Sequence, residues 1–255
     1  MKIATWNVNS IGVRLEAVLD WLRDNPVTVL GLQETKTPDG TFPRAAFEAA
    51  GWQVCCTGQK SYNGMALVSR EPLTDILTDL PGVAGDQKRF LTATCNGVRV
   101  VNLYVPNGSS IGSDKYVYKL AWLEALASHL RAILPRFPRL VVMGDFNIAP
   151  EDRDVHDPAA WEGHIHVSPP ERAAFRNLLN LPLADCFRAV DPEPGRYSWW
   201  DYRQGSFRRN IGLRIDHVLA SPALMERLRG CVIDKQPRGR ERPSDHAPVM
   251  AEFDL

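Results

Sequence analysis

LVVMGDFNIAP, residues 140–150, couples an apolar run to a polar ending. Leu140 to Met143 read as a buried strand, and the chain then delivers Gly144, Asp145, Phe146 and Asn147 before a proline at 150. In an extended segment the side chains at i and i+2 point to the same side, so Asp145 and Asn147 are expected to emerge together while Phe146 faces the opposite way. A carboxylate beside a carboxamide at the end of a buried strand has the look of a site.

Similar strands surround it. KIATWNV, VTVLGLQ, WQVCCTG, MALVSR, FLTATC, VRVVNLYV, YSWWDY, IDHVLAS and APVMAEFDL read as β, with a hairpin turn at Asn96-Gly97. Apolar residues recurring at three and four positions predict helices at about 11–24, 42–50, 113–134 and 171–180. The third shows the pattern most clearly, with Tyr116, Leu120, Leu123, Leu126, Leu130 and Leu134 on one side. Hairpin-paired strands interspersed with helices argue for mixed sheets covered by helices, an α/β class with α+β layering. No Pro/Gly/Ser-rich linker and no repeat divides residues 1–255, so a single domain is expected.

The composition narrows the function classes. Hydrophobic residues at 44% and charged residues at 24% suit a globular enzyme, and neither end reads as a signal peptide or membrane span, so the expected location is the cytoplasm. Five cysteines, with Cys55 and Cys56 adjacent in a strand-like run, are expected to be reduced thiols. Thirty basic residues balance thirty acidic ones, so bulk charge names no polyanionic partner. Arginines nevertheless cluster at Arg203, Arg208, Arg209 and Arg214, and Lys235 with Arg238, Arg240 and Arg242 forms a second group, two candidate positive surfaces.

Other strand ends resemble the one at 145. Asn7 and Asn9 flank Val8, Glu34 ends GLQE, Tyr104 and Asn107 close NLYVPNG, Asp216 interrupts LRIDHV, and Asp245 precedes His246 in PSDHAP. Any one of these is most simply a turn cap; six together are harder to dismiss. Carboxylates and carboxamides without a cysteine cluster suit a hard, oxygen-seeking cation such as Mg²⁺, with Mn²⁺ as second choice. A histidine, a phenol and amide donors around a phosphoryl oxygen would stabilise the charge that builds there, which points to metal-assisted phosphodiester hydrolysis.

These stretches, MKIATWNVNSI, LGLQETK, NGMALVSR, NLYVPNG, GDFNIAP, YSWWDYR, NIGLRIDHVLAS and SDHAPV, resemble, in order and over nearly the whole chain, the exonuclease III group of apurinic/apyrimidinic endonucleases within the endonuclease/exonuclease/phosphatase superfamily. The resemblance implies a four-layer sandwich, two packed mixed β-sheets flanked by helices, acting on double-stranded DNA with abasic sites or blocked 3′ ends. It implies metal binding by Glu34, with Asn7 beside it and Asp245 as a further contributor. Asp145 would orient and deprotonate the attacking water, Asn147 would hold phosphate and water, and Asn107 would donate to a phosphate oxygen. Tyr104 would act on the phosphate or leaving oxygen, and Asp216 would orient His246, whose imidazolium faces the scissile phosphate.

The resemblance also places Trp199, Leu213 and Ile215 on the walls of a pocket for an extruded abasic sugar, with Arg203 and Arg209 near the backbone; strand core is the plainer reading of the tryptophans. His166, in EGHIHVSPPERAAF, stands where relatives carry Gly or Ser, and is expected to crowd a continuous strand so that internal abasic sites are cut poorly while blocked 3′ ends are still trimmed. A harmless exposed histidine is the simpler alternative, and a zinc site with His164, on one face if extended, the weaker one. Two other functions compete: a phosphodiesterase of the same fold acting on a non-DNA phosphate ester, and a non-catalytic DNA-binding module. Nothing in the sequence marks an oligomer interface, so a monomer is expected.

Overall fold

In the computed structural model, which describes residues 1–85 and 87–255, the run at 140–143 lies in a strand near the middle of its sheet. The strands in chain order are β1 (Lys2–Asn7), β2 (Val29–Gln33), β3 (Gln53–Thr57), β4 (Met65–Ser69), β5 (Thr74–Leu77) and β6 (Phe90–Cys95). They continue with β7 (Val98–Tyr104), β8 (Leu140–Asp145), β9 (Ala184–Asp185), β10 (Asp216–Ala220), β11 (Leu228–Ile233) and β12 (Val249–Phe253). The helices are α1 (Ile11–Asp24), α2 (Arg44–Ala49), α3 (Asp114–Ile133), α4 (Pro158–Trp161), α5 (Pro169–Asn180), α6 (Cys186–Val190), α7 (Ser206–Arg209) and α8 (Pro222–Met225).

Two six-stranded sheets result, ordered β11-β12-β1-β2-β4-β3 and β5-β6-β7-β8-β10-β9. Both are mixed: β1 runs parallel to β2 and β7 parallel to β8, while the remaining pairs are antiparallel. The period-2 alternation then assigns each strand an inner and an outer face. Inward from one sheet come Ile3, Val29, Val249 and Ala251, and from the other Val98, Val100, Val141, Met143 and Val218, forming one apolar layer between the sheets. Outward, Val101, Leu103, Leu140 and Val142 pack with Trp122, Leu126 and Leu130 of α3 and Phe175 of α5. On the opposite flank Ala4, Trp6, Leu30 and Leu32 meet Val18, Trp21 and Leu22 of α1 and Phe47 of α2. The four expected layers are therefore present, helix, sheet, sheet and helix.

A buried polar staple fixes how the sheets meet. Asn102 of β7 donates from Nδ2 to the carbonyls of Leu32 (3.1 Å) and Ala66 (3.0 Å) in the other sheet, and its Oδ1 accepts from Gln33 Nε2 at 2.6 Å. Gly31 allows this approach, because a Cβ there would lie 2.6 Å from Met143 Cε and 2.8 Å from Asn102. A buried amide satisfied as Asn102 is specifies one register where an apolar layer alone would tolerate several.

Several expectations need correction. YSWWDY is not a strand: the chain crosses the end of both sheets there, and Trp199 makes isolated bridges to Leu213 on one side and His246 on the other. The short strands β5, β9 and β11 escaped prediction because they are sheet edges; β5 is exposed throughout, β9 has two residues and β11 carries Arg229, Gly230 and a bulge. The buried stripe of α3 contains Lys119 and Trp122, while Leu120 is only half-buried. All five cysteines are free. Among the described residues no helix is long and apolar enough to cross a membrane.

Arg214 and Arg238 do not belong to a positive surface. Arg214 is 1% exposed, with Nε 2.6 Å from Asp154 Oδ1 and Nη1 2.7 Å from Asp185 Oδ2. Arg238 is buried over Phe207, 4.9 Å from its ring centroid, and donates to the Ser244 carbonyl. Removing one partner from a buried charge cluster leaves the others uncompensated. Arg214→Met is expected to destabilise the protein by about 3–5 kcal/mol, read from urea unfolding at pH 7. Burial pushes the Asp154 and Asp185 carboxyls up, but the arginines outweigh it and hold both below the ordinary carboxylate range. Their contribution is thus complete above about pH 4 and is lost as pH falls further, an acid limb that Arg214→Met should flatten.

Candidate active site

The strand directions gather the inner-face polar residues at one end of the sandwich. β1, β2, β7 and β8 all finish there, and β10, antiparallel to β8, begins there. The register sets Asp145 opposite both Tyr104 and Asp216 within one sheet. Across the gap, Asn7 closes β1, and Glu34 follows β2 in a left-handed conformation (φ 51°). The turn after Glu34 is pinned by Thr35 and Lys36 amides donating to the Gly64 and Asn63 carbonyls. Gly64 permits that contact, since at φ 93° a Cβ would stand 2.2 Å from Thr35 Oγ1.

Asn7 and Asp145 join the two sheets. Asn7 Nδ2 donates to Glu34 Oε1 at 2.9 Å and to Asp145 Oδ2 at 3.0 Å, while Asn7 Oδ1 is occupied by the Asn9 amide. Asn7 therefore faces the acids as a donor. Asp145 also accepts from the Asn147 main-chain amide (2.8 Å) and from Asn147 Nδ2 (3.3 Å). Burial and the nearby Asp216 charge raise the Asp145 carboxyl to about 7, even though His246 and the amide bonds act in the other direction. The Tyr104 phenol, raised well above its ordinary range by burial and by the Glu34 and Asp145 carboxylates, stays protonated and can donate.

Asp145 and Asn147 are together as expected, but not through strand pleating. Asn147 has φ 51°, so the chain turns back and its amide closes onto the Asp145 side chain. Phe146 does point away, stacking edge-on against Phe175 of α5 at 5.5 Å. Asn9 likewise turns (φ 44°), and it parts from Asn7 to bind Asp245.

Ser198, Asp216 and His246 form a chain of hydrogen bonds. Ser198 Oγ donates to Asp216 Oδ2 at 2.7 Å, and the same oxygen lies 2.9 Å from His246 Nδ1. The other ring nitrogen of His246 then points to Asp145, with Nε2 3.8 Å from Oδ2. Burial opposes charge on the ring, but Asp216 and Asp145 prevail and lift it to about 10, so it is an imidazolium at neutral pH. Asp216 Oδ1 is buried without a partner. Asp145, Asp216 and His246 each offer an atom to one group spanning no more than 4.8 Å, a set that could hold a metal ion.

The remaining candidates lie around this centre. Glu34 Oε2 is 3.0 Å from Lys36 Nζ. Asn107 is exposed, and its Nδ2 reaches Asn147 Oδ1 at 3.4 Å. Asp245 has both oxygens engaged, Oδ2 by Trp199 Nε1 (3.0 Å) and Oδ1 by Asn9 Nδ2 (3.0 Å), and stands outside the metal-sized group. Trp199 is half-buried against an apolar cluster that contains Leu213, Ile215, Ala149 and Val155. Arg209 is exposed, and so is Arg203, held in a fork by Asp201.

His166 is neither exposed nor extended. It is 7% exposed in a left-handed turn (φ 74°), with Nδ1 2.7 Å from the Asn147 carbonyl and its ring 6.0 Å from Trp161. His164 is exposed, and among the described residues the two histidines join no metal-sized group. Sequence reasoning missed Ser198, which no pattern marks, and Lys119, whose one signal is a basic residue within an apolar helical stripe.

The profile of the Endonuclease/Exonuclease/phosphatase family matches residues 4–246. The exodeoxyribonuclease III of Haemophilus influenzae is 35% identical over 269 residues, covering 99% of this chain and all of that protein. Two solved structures each align over the full length of both chains. One is a 3′ phosphatase, NExo, from Neisseria bound to a product DNA hairpin (48% identity, TM-score 0.99), and the other an AP endonuclease from Archaeoglobus fulgidus (41%, TM-score 0.97). Family profile, relatives and site geometry agree: the chain belongs to the endonuclease/exonuclease/phosphatase family, in its exonuclease III group.

Proposed function

We propose that this chain is a metal-dependent DNA-repair phosphodiesterase that removes blocking groups from 3′ ends, as 3′-phosphatase, 3′-phosphodiesterase and 3′–5′ exonuclease, and that it works as a single-domain monomer on double-stranded DNA. The observation that carries this reading is the His246 imidazolium, fixed by Asp216 and aimed at a buried carboxyl that Asn7 and Asn147 hold in place. A cation beside a proton acceptor is what attack of water on a phosphoryl centre requires. Asp145 takes the proton of the attacking water, His246 and Asn147 bind the phosphate oxygens, Asn107 adds a donor from the rim, and Tyr104 donates to the phosphate or the leaving oxygen. Trp199, Leu213 and Ile215 line the sugar pocket, and Arg203 and Arg209 approach the backbone.

The donors suit a hard divalent cation, Mg²⁺ before Mn²⁺: the buried carboxylates of Asp145 and Asp216 lie in a metal-sized group, and Glu34, outside that group, is linked to Asp145 through the Asn7 amide. Glu34 would hold it, with Asp245 and Asn7 supporting the site from beside it. Such an ion supplies charge neutralisation at the phosphate.

Similarity to a 3′ phosphatase supports the end-processing activity, and His166 supports its ranking over internal incision. The ring stands between Asn147 and Trp161, at the margin of the Trp199 pocket, where it would narrow the path of a continuous strand. At φ 74° glycine would be relaxed where histidine is strained, which in His166→Gly offsets part of the loss of the buried ring and of its bond to the Asn147 carbonyl. The variant is expected to raise internal abasic incision relative to 3′-phosphate release by about tenfold, some 1.4 kcal/mol of difference in barrier. The two substrates are assayed side by side, with and without EDTA. An unchanged ratio of the two rates removes the role of His166, and 3′-phosphate release that persists in EDTA removes the metal-dependent reading.

A further inference from the structure

Resting on the phosphodiesterase reading above, we propose that Lys119 is a positioning residue which sets the two phosphate-facing carboxamides, Asn107 and Asn147, by binding their main-chain carbonyls from beneath. Lys119 lies on α3 and is 0% exposed, as is its partner Glu171. Its ammonium uses three donors on three acceptors: the Asn147 carbonyl at 2.7 Å, the Asn107 carbonyl at 3.2 Å and Glu171 Oε1 at 2.5 Å. The two loops that carry the amides come from different strands, β7 and β8, and this one nitrogen bonds to both.

Other bonds hold each loop by itself, Asn147 to Asp145, Val105 and His166 and Asn107 Oδ1 to the Ser109 amide, whereas Lys119 ties the main-chain carbonyl of one loop to that of the other. Asn147 sits in a left-handed conformation, and the Asn107 side chain is exposed. The turn at Gly108 (φ 97°) lies on the lysine stem itself, where an added Cβ would be 3.2 Å from Lys119 Cδ. Glu171 in turn holds the neighbouring loop, its Oε1 accepting from the His166 amide (3.0 Å) and its Oε2 from the Ser168 amide (3.1 Å) and Ser168 Oγ (2.5 Å). A buried ion pair is poor evidence of stabilisation, because apolar residues of similar volume often serve as well or better. The geometry accounts for what stability does not: the three donors of one ammonium hold two carbonyls from separate loops and the Glu171 carboxylate at once.

The test is a double-mutant cycle on 3′-phosphate release under single-turnover conditions with saturating DNA. Lys119→Met is made together with Glu171→Gln, so that no orphaned charge remains, in the wild-type and the Asn107→Ala/Asn147→Ala backgrounds. Misplacing the carboxamides should lower the wild-type rate by about 10- to 100-fold, and the rate of the background that lacks both carboxamides by less than about threefold, since the residues acted upon are already gone. Equal losses in both backgrounds, or no loss in the wild type, would overturn the proposal. If the double variant does not fold, Lys119→Arg goes through the same cycle by the same criteria. An inactive wild-type protein would count against the phosphodiesterase reading instead. The side-chain amide NMR signals of Asn107 and Asn147 would then decide the positioning role, which requires them to shift in the Lys119 variant.

Discussion

Asp145→Asn is expected to reduce metal-dependent release of 3′-phosphate by about 10²- to 10⁴-fold while leaving the fold as stable as before or more so. The two effects share one cause. Asp145 is buried, faces a second buried carboxylate in Asp216, and has its carboxyl raised to about 7. An asparagine keeps the shape and most of the accepting capacity toward the Asn147 amide, and it removes the group that burial and Asp216 oppose. What it cannot do is take a proton from water. A catalytic group kept at a cost in stability is a common trade at active sites. Single-turnover rates and thermal denaturation of the same preparation check both halves, and a variant within tenfold of wild type would show that another group accepts the proton.

Much of this site was legible in the sequence because it is built from strand ends. A buried strand announces itself by its apolar run, and the residue that breaks the run is conspicuous, as Asp145 is after LVVMG and Asp216 within LRIDHV. Periodicity could not supply what turns do. Asn147 and Asn9 adopt left-handed conformations that carry one back onto Asp145 and the other away to Asp245, and a pleated reading predicts neither path. Edges and crossings were also hidden. The 196–202 segment has the aromatic content of a strand, yet it bridges the sheet ends residue by residue, and its Ser198 becomes part of the site through a hydroxyl that no pattern marks. Charge was the least legible feature: Arg214 and Arg238 look like surface in sequence, but both are buried, and so is Lys119 in the apolar stripe of its helix. Burial of a charge depends on partners distant in the chain, Asp154 and Asp185 for Arg214 and Glu171 for Lys119.

The second large effect belongs to Asp216→Asn, which should lower the same rate by about 10²- to 10⁴-fold while keeping the Asp145 carboxylate and removing one of the two causes that raise it. The analogy is with triads in which the buried carboxylate orients an imidazole and stabilises its charged form, where the amide replacement costs about 10⁴. Here the carboxylate does both: its Oδ2 receives His246 Nδ1 at 2.9 Å, and its charge is the largest of those lifting the ring to about 10 against burial. Because the folded value lies above the unfolded one of about 6.5, this pair stabilises the protein fully below pH 6.5, and the contribution is lost as pH rises through about 10. Asparagine removes the largest attraction and leaves the burial, so the ring should lose its proton at a lower pH. The variant's activity should then fall on an alkaline limb near or below neutrality, where the wild type shows none from this group. Ser198→Ala, which removes one donor to the same oxygen and leaves the charge, is expected to cost far less. A pH–rate profile of the three proteins separates the two roles of Asp216: a loss that is uniform across pH assigns it to orientation alone, whereas a shifted limb shows that the carboxylate keeps His246 charged.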